Sequence, residues 1–200
     1  ESVMKYRKSP WLWLFLLLFA LTGALVITGC DQAVKPTGND TEVLEPEDTP
    51  AGTIPETGLE ETSVILYYAN QKYIQTGDES LERWMPAYQT TVQAKPGEAM
   101  AAVIEALKKT PDQPGYATLV PAGLSVHSVK LVDGTAMVDL SSVNLNGSSL
   151  QEAFLIDQIV ESLIASFPEI KQVQFLVDGK IVESLMGHID ATKPFVSKMK

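Results

Sequence analysis

Residues 124–140 read LSVHSVKLVDGTAMVDL and carry the clearest structural signal in the chain. Two β-rich runs, 124–132 and 135–140, flank Asp133-Gly134. Asp-Gly between such runs predicts a hairpin, because a two-residue turn whose twist matches the strands needs positive φ at both central residues. In the second run Ala136, Val138 and Leu140 alternate with Thr135, Met137 and Asp139. One face of this strand is therefore uniformly apolar and should meet the core.

Toward the C-terminus, Ser148-x-x-Gln151 and Ser149-x-x-Glu152 each offer a capping box for a helix. Its apolar residues Ile156, Ile159, Val160, Leu163, Ile164 and Phe167 keep helical spacing, and Glu152, Asp157, Gln158, Glu161 and Ser162 take the other side. Pro168 ends it, since the residue before a proline is pushed out of helical geometry. Val173-Gln-Phe-Leu-Val177 and residues 181–185 then flank Asp178-Gly179-Lys180, which predicts a second hairpin of the same kind. Residues 187–195 read as irregular.

Toward the N-terminus, residues 110–123 hold too much Pro and Gly for regular structure. Pro96 opens a helix with Met100, Val103, Ile104 and Leu107 on one face, and Pro111 lies beyond its end. Ser63-Val-Ile-Leu-Tyr-Tyr68 reads as a first strand. Between these, Tyr73-Ile74 and residues 81–85 read as short strands around Thr76-Gly77-Asp78. The pieces predict an α+β fold, a small two-layer sandwich with a mostly antiparallel sheet and two helices packed on one face. The domain spans 62–196 and leaves 197–200 as a tail.

Residues 30–61 form an acidic tether. Positions 31–60 alone hold eight acidic residues, one lysine and four prolines, too little apolar surface to offset the entropy of ordering. Ahead of it, Lys5, Arg7 and Lys8 precede the uncharged stretch 11–27, the order of an export signal. Met4 is the expected initiator, with Glu1-Ser2-Val3 upstream of it. Ile27-Thr28-Gly29-Cys30 resembles the bacterial lipobox: an aliphatic residue, two small ones, then the cysteine that takes the lipid. The alternative is that Cys30 closes an uncleaved helix; the charged, apolar, small order before the chain's one cysteine favours lipidation. Removal of 1–29 and a diacylglyceryl thioether on Cys30, with acyl chains such as palmitate, would hold the protein on the extracytoplasmic face of the cell membrane.

The chain carries 25 Asp and Glu against 15 Lys and Arg, a net charge of −10. That balance argues against nucleic acid as a partner, which needs clustered positive charge. One cysteine excludes an intramolecular disulfide framework and a multi-cysteine metal site.

With these pieces in order, residues 63–195 resemble the GerMN domain, also called the sporulation and spore germination or "germane" domain. The residues that carry the resemblance are Val64-Ile-Leu-Tyr-Tyr68, Glu105-Ala-Leu-Lys-Lys-Thr-Pro111, Leu119-Val-Pro-Ala-Gly123, Asp133-Gly-Thr-Ala-Met-Val-Asp-Leu-Ser141, Phe167-Pro-Glu-Ile-Lys-Gln-Val-Gln-Phe-Leu-Val-Asp-Gly-Lys180 and Gly187-His-Ile-Asp190. The resemblance implies a sandwich similar to the ring-building modules of bacterial secretion assemblies, in an envelope lipoprotein of a mostly Gram-positive, often spore-forming lineage. It implies no established catalytic activity. Family members can carry two tandem copies or a companion domain, and this chain has room for one copy, which puts intrinsic ring building in doubt.

Sites of chemistry were sought among the polar residues. His188 and Asp190 form an H-x-D pair that offers two metal ligands, short of the three a zinc or iron site needs. A Ser-His-Asp set can be drawn from Ser141, His127 or His188, and Asp139, without the G-x-S-x-G elbow of a hydrolase. The expectation is therefore no catalytic residue, no metal and no cofactor. Tyr67, Tyr68, Tyr73, Trp84 and Tyr88 either pack in the core or form a stacking surface for glycan or peptide. The leading expectation is a non-catalytic, membrane-tethered interaction and assembly module of the cell envelope in sporulation or germination, whose partners are the membrane through Cys30 and envelope or sporulation proteins. The alternatives are a peptidoglycan- or glycan-binding lipoprotein and a cell-wall hydrolase, the latter needing two suitably separated carboxylates.

Overall fold

A computed structural model of the chain describes residues 58–199. The expected signal at 1–29, the lipidation candidate Cys30 and nearly all of the expected tether lie outside the described residues.

Strand β1 (Glu60–Leu66) pairs antiparallel with β3 (Tyr88–Ala94), and the two-residue β2 (Ala69–Asn70) pairs with β4 (Tyr116–Ala117). Strands β5 (Val126–Val132), β6 (Thr135–Leu140) and β7 (Gln172–Val177) form a third sheet in that order. Helices α1 (Gln71–Thr76), α2 (Ala99–Leu107) and α3 (Ser149–Ser166) complete an α+β fold. The expected α+β fold with mostly antiparallel pairing is present; its strands divide into three small sheets, and α1 adds a third helix.

The first Asp-Gly turn does what its sequence demands. Asp133 and Gly134 sit at φ 48° and 75°, and β5 and β6 pair from Val132–Thr135 up to Val126–Leu140, with a bulge at His127. Ala136, Val138 and Leu140 are buried, as their alternation required.

The second predicted hairpin does not form. β7 lies parallel to β6, from Thr135 opposite Gln172 to Leu140 opposite Val177, and residues 181–185 are not a strand. The cause is the crossover helix. At 1.5 Å per residue the 18 residues of α3 cover about 27 Å, more than the roughly 20 Å of β6. A chain that rises through β6 and descends through α3 must rise again in β7, which makes the pair parallel.

The expected strand at Tyr73-Ile74 is helix α1. Asn70 Oδ1 accepts the Lys72 N–H at 3.0 Å, and Gly77 at φ 64° closes the other end with its N–H on the Tyr73 carbonyl at 2.8 Å. An N-cap and a left-handed C-cap seven residues apart override the β-propensity of Tyr and Ile. Residues 81–85 are irregular and touch the second sheet through the bridge from Trp84 to Ala69. Pro96-Gly97 forms a turn, and α2 starts at Ala99; Val103, Ile104 and Leu107 are fully buried.

Helix α3 is the centre of the domain. Phe154, Leu155, Ile156, Ile159 and Leu163 are buried, as expected. So are Glu152, Gln158, Glu161, Ser162 and, nearly so, Asp157, where the amphipathic reading placed a solvated face. Residues 154–163 of α3 are buried on every side, so the polar side chains there become internal fasteners.

Candidate functional site

Three groups of polar side chains on α3 tie the domain together. Gln158, Ser162 and Ser166 stand at i, i+4 and i+8, a single line along the helix. Ser162 Oγ accepts the Tyr67 N–H at 2.9 Å. Ser166 Oγ accepts the Ile65 N–H at 2.9 Å and donates to the Ile65 carbonyl at 3.1 Å. Gln158 donates to the Tyr67 carbonyl and accepts the Leu119 N–H. The match is metric: four helical residues rise about 6 Å and two strand residues about 6.6 Å. Hydroxyls spaced by four therefore meet amides spaced by two, and α3 covers one edge of β1 as a neighbouring strand would.

Glu152 holds the segment after β7. Its Oε1 accepts the Ser184 hydroxyl at 2.7 Å and the N–H groups of Leu185 and Met186 at 3.0 and 2.9 Å; Oε2 accepts the His188 N–H at 2.8 Å. Burial pushes this carboxyl up, but the donors together outweigh it and hold the group below the usual range. Glu161 accepts from Ser197 Oγ and the Lys198 N–H, and Lys198 Nζ meets Asp157 at 2.7 Å. Residues 197–199 are thus fastened to α3.

The candidate catalytic and metal residues are scattered. His188 is held by its backbone on Glu152 and Ser184, while Asp190 accepts the N–H and hydroxyl of Thr192. His127 Nε2 lies 3.1 Å from Asp178 Oδ1, which also accepts the Ser142 N–H. Asp139 instead accepts the Gly179 N–H, and Ser141 Oγ accepts the Val143 N–H. The structure therefore brings His127 to Asp178 and Ser142, not to Ser141 and Asp139. Hydrogen bonding to Ser142, then to His127, lowers the Asp178 carboxyl, and the Thr192 hydroxyl does the same for Asp190. Among the described residues no three His, Cys, Asp or Glu converge as a metal site.

The aromatic residues contact one another. Tyr68, Tyr88 and Tyr116 meet edge to face with centroids 5.9–6.2 Å apart. Tyr73 and Trp84 pack on Phe154, and the Arg83 guanidinium lies 5.0 Å from that ring's centre. Tyr68 is 2% exposed; its hydroxyl donates to the Lys109 carbonyl at 2.9 Å, and burial, with Tyr88 nearby, pushes the phenol up to about 12.

An open groove remains. It encloses about 760 Å³ between β3 and β5, with Ala101 and Ala102 of α2 in its floor and Gln93, Lys95, Val129 and Lys130 among its walls. Its volume falls within the range of ligand clefts.

Residues 65–183 match the family Germane, described as sporulation and spore germination. The chain belongs to the Germane family. The first GerMN domain of the sporulation protein GerM from Bacillus subtilis is 17% identical, with a TM-score of 0.53 over 70% of this chain and 99% of that one. That likeness shows a shared fold. The tandem GerMN domains of the same protein align at 19% identity and TM-score 0.44, over 74% of this chain and 49% of that one. A protein from Clostridium perfringens assigned as a lipoprotein aligns at 25% identity and TM-score 0.45, over 70% of this chain and 89% of that one. A comparison with curated proteins finds no match. In this Germane domain the polar residues of α3 were missed as structural fasteners. Their signal was the run Gln158, Ser162, Ser166, uncharged polar residues at a spacing of four where a solvated face would carry charges.

Proposed function

We propose that this protein is a non-catalytic, membrane-tethered interaction module of the bacterial cell envelope that acts in sporulation or spore germination. The observation that carries this reading is the Germane match over residues 65–183. The lipobox-like Ile27-Thr28-Gly29-Cys30 supports a lipid anchor on the extracytoplasmic face of the membrane, with the acidic tether as spacer. The non-catalytic reading is supported by the work its polar groups already do: Glu152 closes a loop, Asp139 and Asp178 hold turns, and the buried hydroxyls fasten β1. The glycan alternative is weakened at Tyr68, whose ring is buried, while Tyr67, Tyr73, Trp84 and Tyr88 stay partly exposed.

Deletion in a spore-forming host, with crosslinking and recovery from membranes, tests the role. A sporulation or germination defect with a crosslinked envelope partner is expected; normal spores together with a free monomer overturn it. Globomycin should block processing, and intact mass of the mature chain should show acylated Cys30. An uncleaved chain removes the anchor from the proposal.

A further inference from the structure

The groove between β3 and β5 is walled by the end of one strand edge, at Gln93 to Lys95, and by residues 126–130 of the other, and both edges continue beyond it; the bonds already described show which backbone groups they leave open. Ile65 and Tyr67 turn their N–H and C=O toward α3, so the alternate residues Val64 and Leu66 bond to β3. Opposite Val64 and Leu66 stand Thr90 and Tyr88, which leaves Gln89, Thr91 and Gln93 with backbone groups directed away from β1. On β5 the two-residue turn makes Val132–Thr135 a bonded pair, and Lys130–Met137 the next. Val129 and Leu131 therefore face outward. None of these five residues has another backbone partner among the described residues.

Open strand edges are usually blunted by proline, short length, bulges or charged side chains, and β5 carries only the bulge at His127 and the charge of Lys130. Neither β3 nor β5 contains proline, and each runs seven residues. The floor leaves room for an occupant's side chains, because Ala101 and Ala102 of α2 each present no more than a methyl group. The walls add a charge requirement. Lys95 and Lys130 line the groove, and neither is in an ion pair among the described residues. Of the two carboxylates there, Glu105 is held by Lys108 at 2.6 Å, leaving Glu98. In a domain that is acidic overall, the groove is not.

We propose that this groove receives an extended, acidic segment of a partner protein, which adds as a strand to the open edges of β3 and β5. Its small or apolar side chains face α2 and alternate with Asp or Glu directed at Lys95 and Lys130. This names the partner chemistry of the interaction module proposed above and rests on that reading. In the chain's own tether Pro36, Pro46, Pro50 and Pro55 lack the N–H that a strand donates and leave only residues 37–45 as a long uninterrupted acidic stretch, so the test below separates that occupant from a partner.

The test titrates the full chain in detergent micelles with a nine-residue peptide alternating Val or Thr with Glu, and with its Lys-for-Glu counterpart. Hydrogen exchange and amide shifts provide the readout. The acidic peptide is expected to protect Gln89, Thr91, Gln93, Val129 and Leu131, and the basic one is not. The double variant K95E/K130E should weaken the acidic peptide about tenfold and favour the basic one. Gln93→Pro, on an exposed edge, should remove the protection of β3 while thermal unfolding confirms a folded domain. Equal binding of both peptides, or no binding, overturns the proposal even if the deletion phenotype stands. So does binding that appears only after residues 31–57 are deleted, which would make the tether the occupant, or a dimer that the peptide does not displace.

Discussion

The two Asp-Gly turns have almost the same backbone and opposite fates. Asp133 and Gly134 lie at φ 48° and 75°, Asp178 and Gly179 at 49° and 78°. The first opens a paired ladder between β5 and β6; the second closes one bridge, from Val177 to Lys180, and the chain then leaves the sheet. The difference lies in what competes for the residues after each turn. Beyond Gly134 no side chain takes the backbone N–H groups among the described residues, so the strand pairs with its predecessor on one edge and with β7 on the other. Beyond Gly179 the Glu152 carboxylate takes the N–H groups of Leu185, Met186 and His188, while the antiparallel neighbour of Val173 is Phe195. Four donors on a buried carboxylate outweigh the modest gain of a two-stranded ladder. A turn motif therefore sets the direction of the chain, and the distant partner sets whether pairing follows.

The largest test of that contrast is Glu152→Ala. Removing the acceptor of four donors in a fully buried site should cost about 3–5 kcal/mol in urea unfolding at neutral pH. Hydrogen exchange should rise at 184–188 and stay unchanged at 129–132; equal loosening of both regions would break the contrast. The pH dependence has a fixed sign. Because the native carboxyl is held below its unfolded value of about 4.3, its contribution is present above that pH and lost as pH falls through the native value. The stability gap between wild type and Glu152→Ala should close on acidification.

Next comes Gly134→Ala. A Cβ there meets Lys171 Cγ at 3.5 Å and the Glu169 carbonyl at 3.6 Å, so space is adequate and the cost is the positive φ, about 1–2 kcal/mol. Gly179→Ala has nothing within 4 Å and the same φ penalty. It should cost less, since beyond this turn only the Val177–Lys180 bridge and the Gly179 N–H on Asp139 are at stake, whereas the first turn opens a full ladder. Equal losses in thermal unfolding would show that both turns are held alike. The smallest effect belongs to His127→Ala, which removes an exposed partner of Asp178 and should shift the melting temperature less than either glycine variant.

Much of the fold was legible in local sequence. The hairpin at 133–134, the buried faces of β6 and α2, and the Ser148 cap of α3 rest on period and turn chemistry, which neighbours a few residues apart enforce; Ser148 Oγ accepts the Gln151 N–H as expected. The parallel pairing of β7 was also available, in the strand, 18-residue helix, strand order, but the Asp178-Gly179 signal outweighed it. Helix α1 was hidden because Asn70 and Gly77 mark a helix only when taken together as caps. The polar groups of α3 were not legible as fasteners: a Glu or Gln on a helix looks the same in sequence whether water or a loop meets it.

Sequence alone established the membrane-address pattern, the acidic segment, the hairpin and the family resemblance, because each depends on residues close together in the chain. Tertiary structure alone fixed the fate of the second turn, the roles of Glu152, Gln158, Ser162 and Ser166, and the open groove between β3 and β5. Those depend on which groups the packing deprives of water, and a buried carboxylate or amide must then bond to whatever segment the fold brings within reach.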